Sequence, residues 1–369
     1  MNIGILLPGF SADENDWAIP VQQNIARLLS ASDNLRIIAL RYPHQRRPYR
    51  VYDAQVYPLG VGAWTRGWRR LALWLDAVRL IRRLHRERPF DVLHAMWADE
   101  TGLVAAWAGR WLGVPVVVSI TGGELVGFDD IAYGMQRSAF GRWTVRQALY
   151  GADVVTVSGS HSRGLIRQAG YDIADAKIRR LVLGVDTDIF YPDDTPRGTR
   201  LLHVGSLVGV KDQAMLLRAL ARLDSVGLDI IGTGGLQSPL QALIGRLGLR
   251  ERVRFWGNVR HLDLPQYYRR AALHVMSSRN EGVPVALLEA AACGLPTVST
   301  AVGLLPDHPA MGVTVPPGDE AGLAGAIDAL LHDGARLDGL RQTAAATVRD
   351  EFSVRHTVEA LREMYQAFM

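Results

Sequence analysis

The sequence predicts two doubly wound, Rossmann-like α/β domains, and three observations carry that reading. Short apolar runs alternate with longer helical patterns along the whole chain. Several of those runs are near-continuous Val, Ile and Leu, as strands buried on both faces of a parallel sheet require. A single polar, turn-rich stretch, Tyr191-Pro192-Asp193-Asp194-Thr195-Pro196-Arg197-Gly198, interrupts the alternation. The 369 residues suit two domains at roughly 100–200 residues each. The expected domains are 1–190 and 191–353, with a last helix over 354–368 able to pack back on the first.

In chain order, the first domain is expected to hold strands over 3–7, 36–39, 92–94, 116–120, 154–158 and 180–183. The second is expected to hold strands over 201–204, 229–231, 252–256, 274–276 and 297–299, with helices over 212–221, 236–247, 264–271 and 284–293. Two arginine-rich stretches lie between the second and third strands. Arg41-Tyr42-Pro43-His44-Gln45-Arg46-Arg47-Pro48-Tyr49-Arg50 reads as a Pro-interrupted loop. Residues 64–88, starting at Trp64, carry eight arginines against Asp76 and Glu87. There Leu71, Trp74, Leu75, Val78, Ile81 and Leu84 fall on one helical face, with Arg69, Arg79, Arg82, Arg83 and Arg86 off it. Such a helix suits docking on an anionic membrane or a phosphorylated lipid acceptor. It equally suits ordinary core packing with a solvated basic face.

Composition narrows the function classes. All but two of the 41 basic residues are arginine, the exceptions being Lys177 and Lys211. Residues 1–190 carry a net charge of +5 and residues 191–369 a net of −1, so an anionic partner is expected on the first half. No aromatic stacking platform or recognition motif accompanies the charge, so nucleic acid is not expected as a partner. One cysteine, Cys293, leaves no disulfide framework and no cysteine-ligated metal site, and it is compatible with a reducing cytosol. The opening MNIGILLPGF lacks a basic n-region and its apolar run is too short for a secretion signal. No window approaches the ~18–20 uninterrupted apolar residues of a membrane span. The expected location is cytoplasmic, with peripheral contact at an anionic inner membrane face as the possible refinement.

Doubly wound sheets bind ligands beyond the carboxyl ends of their strands, and four loops of that kind carry the candidate chemistry. The first is Arg279-Asn280-Glu281-Gly282-Val283-Pro284-Val285-Ala286-Leu287-Leu288-Glu289. Pro284 suits the first turn of a helix. The N–H groups of Gly282 and Val283, with the positive helix end, can receive a phosphate between the carboxylates of Glu281 and Glu289. A ligand with both phosphate and hydroxyls, a nucleotide sugar, fits that pairing. The same spacing also suits a helix entry that favours acids for dipole reasons alone. The second loop is Val204-Gly205-Ser206-Leu207-Val208-Gly209-Val210-Lys211-Asp212, where Lys211 can place a compact charge on a phosphate or simply be solvated. Gly232-Thr233-Gly234-Gly235 reads mostly as a tight structural connection. Ile120-Thr121-Gly122-Gly123-Glu124 offers a cleft-side polar contact at Glu124, which also suits a helix start.

In this order the set resembles a GT-B glycosyltransferase, specifically the large retaining family 4 (glycosyl transferases group 1). Glu281 to Glu289, continuing into Ala290-Ala291-Ala292-Cys293-Gly294-Leu295-Pro296-Thr297, looks like the family's E-x7-E signature with its Gly-x-Pro turn. Gly184-Val185-Asp186-Thr187-Asp188-Ile189-Phe190-Tyr191-Pro192 matches its interdomain segment. Val253-Arg254-Phe255-Trp256-Gly257-Asn258-Val259, Val315-Pro316-Pro317-Gly318-Asp319 and, more loosely, Asp91-Val92-Leu93-His94-Ala95 also fit.

The resemblance implies two such domains facing across a cleft, with the donor on the second and a glycan or lipid-linked acceptor on the first. Glu289 would bind the donor ribose and Glu281 the sugar hydroxyls. Gly282 and Val283 would offer backbone donors, with Ser206 also on the donor side. Lys211 would neutralise the departing diphosphate, and Gly257, Asn258 and Val259 would lie near the base. Gly9, Thr121, Gly122 and Glu124 would line the acceptor side. The family is usually metal-independent and needs no cofactor besides the nucleotide sugar, its co-substrate. The implied activity is retaining hexosyl transfer from a UDP- or GDP-sugar in cell-envelope or exopolysaccharide synthesis. Rival readings are a sugar phosphorylase, a nucleotide-sugar epimerase, or a catalytically silent sugar-binding or scaffold subunit. Ser206 stands where the family often has an arginine, Thr121 where many members have a histidine, and Leu183 where they have an asparagine. The loop Pro8-Gly9-Phe10-Ser11 lacks the usual paired glycines.

Overall fold

A computed structural model describes residues 1–16, 19–60 and 67–369. It divides into two compact units, one formed by Met1–Val182 with Val354–Met369, the other by Leu183–Ser353.

The first unit is wound on an eight-stranded sheet. Its elements run β1 (Asn2–Gly9), α1 (Pro20–Ser30), β2 (Asn34–Tyr42), β3 (Tyr49–Val51), β4 (Ala54–Pro58), α2 (Trp68–Glu87), β5 (Val92–Ala95), α3 (Glu100–Leu112), β6 (Val116–Ser119), α4 (Ala139–Tyr150), β7 (Val154–Val157), α5 (Ser160–Gln168) and β8 (Ile178–Arg180). The strand order is β3-β4-β2-β1-β5-β6-β7-β8, parallel throughout except for the β3–β4 hairpin. β5 and β6 are buried at every residue, which is why they are mostly apolar rather than alternating, with His94 and Ser119 as their polar exceptions. Asp99 caps α3 by accepting from the Thr101 N–H, and Gly113 ends it in the left-handed conformation.

The second unit runs β9 (Leu201–Val204), α6 (Gln213–Leu220), β10 (Leu228–Ile231), α7 (Gln237–Arg246), β11 (Val253–Gly257), α8 (Leu264–Arg270), β12 (Leu273–Met276), α9 (Val285–Ala292), β13 (Thr297–Thr300), β14 (Gly312–Val315), α10 (Glu320–His332) and α11 (Gly334–Glu351). Its six strands are all parallel in the order β11-β10-β9-β12-β13-β14. The chain then returns to the first unit as α12 (Val354–Gln366). There Val358, Leu361 and Tyr365 are buried, and Arg362 pairs with Asp33 at 3.0 Å.

Several expectations need correction. The stretch after Arg41 is not a loop alone. Residues 49–58 form the β3–β4 hairpin, in which Ala54, Val56 and Pro58 turn inward. β14 was not expected. The strand placed over 180–183 ends at Arg180. On α2 the buried stripe is Leu73, Trp74, Ala77, Ile81 and Leu84, while Leu71 and Leu75 are 48% and 42% exposed. Trp64 lies outside the described residues. Among the described residues no helix is long and apolar enough to cross a membrane.

Both sheets bury histidines as neutral groups. In the first unit His94 on β5 meets the Tyr365 hydroxyl at 2.6 Å through Nδ1 and Ser119 Oγ at 2.7 Å through Nε2. Ser119 in turn meets Thr156 at 2.6 Å, so a polar chain crosses three adjacent strands and ties α12 to them. In the second unit His274 meets Thr297 at 3.0 Å, and His203 meets the Val275 carbonyl at 2.9 Å.

Burial pushes His94 and His274 down to about 3, and His203 down to about 4, from the ordinary 6.5. The folded state therefore refuses protons that the unfolded chain accepts. Stability is undiminished above about pH 6.5 and falls below it by about 1.4 kcal/mol per pH unit for each such histidine. Thermal melts at neutral pH and at about pH 5.5 should show a clear loss in Tm on acidification; a flat Tm over that interval would contradict it.

Candidate functional site

In the second unit the carboxyl ends of β9 and β12 are neighbours in the sheet, so the loops that leave them run side by side. The loop after β9 turns through Gly209–Lys211 into α6. Asp212 starts that helix from the left-handed region, φ 42° and ψ 48°, with its carboxylate accepting from the Met215 N–H. The loop after β12 carries Ser277, Ser278 and Glu281 into α9. Pro284 sits at the N-cap of α9 rather than in its first turn, and the helix begins at Val285.

These loops are laced together. Ser277 Oγ donates to the Lys211 carbonyl at 2.9 Å, and the Arg279 N–H donates to the Val210 carbonyl at 2.7 Å. Lys211 Nζ donates to Glu281 Oε1 at 2.6 Å. Ser278 Oγ donates to that same oxygen at 2.5 Å, and Thr300 Oγ1 holds the Ser278 carbonyl at 2.6 Å. The Glu281 side chain is 8% exposed and that of Lys211 27%. The cation therefore sits on the solvent side of a buried carboxylate. Behind the pair, Gln213 Nε2 lies 3.2 Å from His203 Nε2 and donates to the Ser206 carbonyl at 2.9 Å. Gly303 stands against Glu281 with φ +70°, and a Cβ there would lie 2.9 Å from the Glu281 Cβ.

Glu289 lies deeper. His261 Nε2 is 2.8 Å from its Oε1, and Tyr268 Oη donates to its Oε2 at 2.8 Å. Burial first, and the Glu289 charge after it, hold the Tyr268 hydroxyl well above its ordinary value. Phe190 packs under this clamp, its ring 5.0 Å from His261 and 6.1 Å from Tyr268. The segment Gly184–Pro192 thus supports the second carboxylate from below.

The structure brings Lys211, Glu281, Gly282, Val283 and Glu289 to one edge of this sheet. Gly282 is buried and already engaged, Val283 is half-buried and Ser206 is exposed. Gly257 ends β11 at φ +68°. Asn258 and Val259 follow it, exposed and half-buried respectively, two strands from β9. The turn at Gly232 is structural: a Cβ there would sit 2.1 Å from the Gly205 carbonyl oxygen.

In the first unit, Gly9 ends β1 opposite Tyr42 after a register shift. Thr121 Oγ1 donates to the Met96 carbonyl at 2.9 Å. No helix starts at Glu124. Its buried carboxylate accepts from the N–H groups of Gly122 at 2.6 Å, Thr121 at 3.1 Å and Ala98 at 3.3 Å. Burial raises this carboxyl above its ordinary value against those bonds. Glu124 therefore shapes the loop from inside.

Sequence reasoning missed Ser278, His261 and Tyr268. The paired serines before the Arg279–Glu289 run were a usable signal. His261 and Tyr268 reach Glu289 from other elements, and no spacing announces them. Among the described residues no three His, Cys, Asp or Glu side chains gather as metal ligands.

Comparison with known proteins places these features. The family of glycosyl transferases group 1 matches residues 198–333, and the glycosyl transferase 4-like domain matches residues 19–184. A D-inositol 3-phosphate glycosyltransferase of Catenulispora acidiphila is 32% identical over 288 residues, covering 69% of this chain and 67% of that protein. The solved sucrose-phosphate synthase from Thermosynechococcus elongatus aligns over 100% of this chain and 98% of its own, with TM-score 0.82 and 20% identity. An Anabaena protein solved in complex with UDP and glucose aligns over 100% of both chains, with TM-score 0.76 and 19% identity. These structures share the GT-B fold with this chain.

Replacing Tyr268 with Phe keeps the packing and removes one of two donors to a buried carboxylate. Tyr268→Phe should cost about 1–3 kcal/mol, read as a fall in the denaturation midpoint; an unchanged midpoint would remove the clamp from the account.

Proposed function

We propose that this chain, which belongs to the group 1 glycosyltransferases, moves a hexose from a UDP- or GDP-sugar to a glycan or lipid-linked acceptor, with retention at the anomeric carbon. The observation that carries the reading is the Lys211–Glu281 pair at the mouth of the loops beyond β9 and β12. Nucleotide-sugar donors are the co-substrates of such enzymes, and the Anabaena neighbour's complex with UDP and glucose supports a uridine donor here.

In this reading the diphosphate takes the place of Glu281 as the partner of Lys211. The freed Glu281 oxygen, still held by Ser278, accepts from the sugar hydroxyls. Gly282 and Val283 approach the diphosphate with the positive end of α9 behind them. Glu289 has spare lone pairs on both oxygens, since His261 and Tyr268 use one on each, and these accept from the ribose hydroxyls. Ser206 borders the diphosphate, and Gly257, Asn258 and Val259 lie toward the base.

The chemical step forms a bond from the acceptor oxygen to C1 and breaks the bond from C1 to the phosphate oxygen. The acceptor proton leaves with the nucleoside diphosphate, departing from the face on which the acceptor attacks. Lys211 stabilises the negative charge that grows on the leaving oxygen. Gly9, Thr121 and Gly122 serve the acceptor side, with Glu124 positioning their loop. We assign the work to the cytoplasm and to envelope or exopolysaccharide glycans, consistent with the one cysteine being a buried free thiol.

A thermal-shift series across UDP-, GDP- and ADP-sugars should raise the Tm with one base only, since a ligand at 100 times its Kd adds about 2.7 kcal/mol. With that donor, Glu281→Ala and Lys211→Ala should each lower kcat/KM at least about 100-fold. Turnover by Glu281→Ala at the native rate would sink the assignment.

A further inference from the structure

The exposed side of α2, α3 and α4 in the first unit is unusual for a soluble surface. Of thirteen large hydrophobic residues exposed among the described residues, seven lie on these three helices. Single exposed apolar residues need no explanation, whereas a contiguous patch does. On α2, Trp68, Leu71 and Leu75 repeat at helical spacing beside the buried stripe and continue towards Arg82, whose guanidinium lies 4.3 Å over the ring of Trp111 on α3. Trp68 is 75% and Trp111 55% exposed. The aromatic cluster reaches α4 beneath the surface, through the buried Trp74. Trp74 stacks on Phe140 at 6.0 Å and meets Trp143 at 6.3 Å, and Arg70 lies 4.8 Å over Phe140.

The charge on this face is predominantly basic. α4 carries Arg142 and Arg146 and no acidic residue. Both are exposed, and they line a hollow of about 430 Å³ with Trp143, Tyr150 and Tyr171. On α2 the two acids are exposed and matched only by neighbours on the same helix, Asp76 by Arg79 at 2.9 Å and Glu87 by Arg83 at 3.9 Å. Pairs of that kind hold little free energy. Glu100, at the start of α3, is already taken by Arg41 and Arg70.

We infer that this face is a docking surface for an anionic phospholipid bilayer. Tryptophan and tyrosine favour the boundary between headgroups and acyl chains. Arginines beside such a stripe pair with lipid phosphates while their stems follow the apolar surface. A protein partner would need opposite charge over the same rim. The inference goes beyond the proposed reaction and holds whichever donor is used.

The test is co-sedimentation of the full chain with phosphatidylcholine vesicles, with and without phosphatidylglycerol. Binding is expected only with phosphatidylglycerol and should weaken as salt rises. Arg142→Glu/Arg146→Glu should lower it more than about tenfold, since one basic residue at an anionic surface contributes about fivefold. Leu75→Ser/Trp111→Ser should lower it comparably by removing the inserted stripe. Both variants should turn over donor with a soluble acceptor at the native rate when vesicles are absent. Equal binding to both vesicle types, no binding, or native binding by either variant would overturn the inference. So would a doubling of mass with concentration that the Leu75→Ser/Trp111→Ser variant abolishes, because a second copy would then cover the face.

Discussion

The contact between Lys211 and Glu281 is the constraint around which the second unit is arranged. A carboxylate this buried is tolerated only with a cation or several donors in reach, and Glu281 has one of each in Lys211 and Ser278. Meeting that requirement forces the loops after β9 and β12 together, and the bonds from Ser277 and Arg279 fasten them there. It also explains why glycine occupies position 303, where any side chain would push into Glu281. Of the two partners, the cation is the one that faces outward.

Glu289 is governed by a different logic. Its partners are an imidazole ring and a phenol hydroxyl, both buried. The result is a carboxylate held in one orientation before anything binds. The two acidic residues of the motif therefore differ in kind, one paired with a half-exposed cation and one held by buried groups, although the spacing treats them alike.

What could be read from the sequence follows from how locally each feature is encoded. The central strands of both sheets were legible because full burial leaves an unmistakable run such as Val116-Val117-Val118. β3 and β4 escaped because a short alternation, Ala54-Gln55-Val56-Tyr57, sits inside a charged and proline-broken stretch. β14 escaped for the same reason, its four residues lying between turns. On α2 the period of 3.6 merged two neighbouring stripes into one face, since periodicity reports which residues are aligned and says nothing of which side meets the core. Lys211 and Glu281 stood out because both follow strands, beyond whose carboxyl ends such sheets bind ligands, and the structure brings the two side chains together at 2.6 Å. The His261–Tyr268 clamp was not, because it joins three elements that are distant in sequence. Glu124 was legible as a polar residue at a strand end, but its direction was not.

The return of α12 to the first unit has a consequence for biosynthesis. The hydroxyl that completes the His94–Ser119–Thr156 chain belongs to Tyr365 on α12, which follows the whole second unit in the chain. A ribosome that has released Met1 through Val182 has made nearly all of that unit but not the helix that seals it. The whole second unit emerges next and can close on its own contacts, since it is one continuous stretch, Leu183–Ser353. The first unit therefore waits for the whole second unit to be translated before it can be completed, and a nascent chain carries an open seam along α1 until α12 emerges.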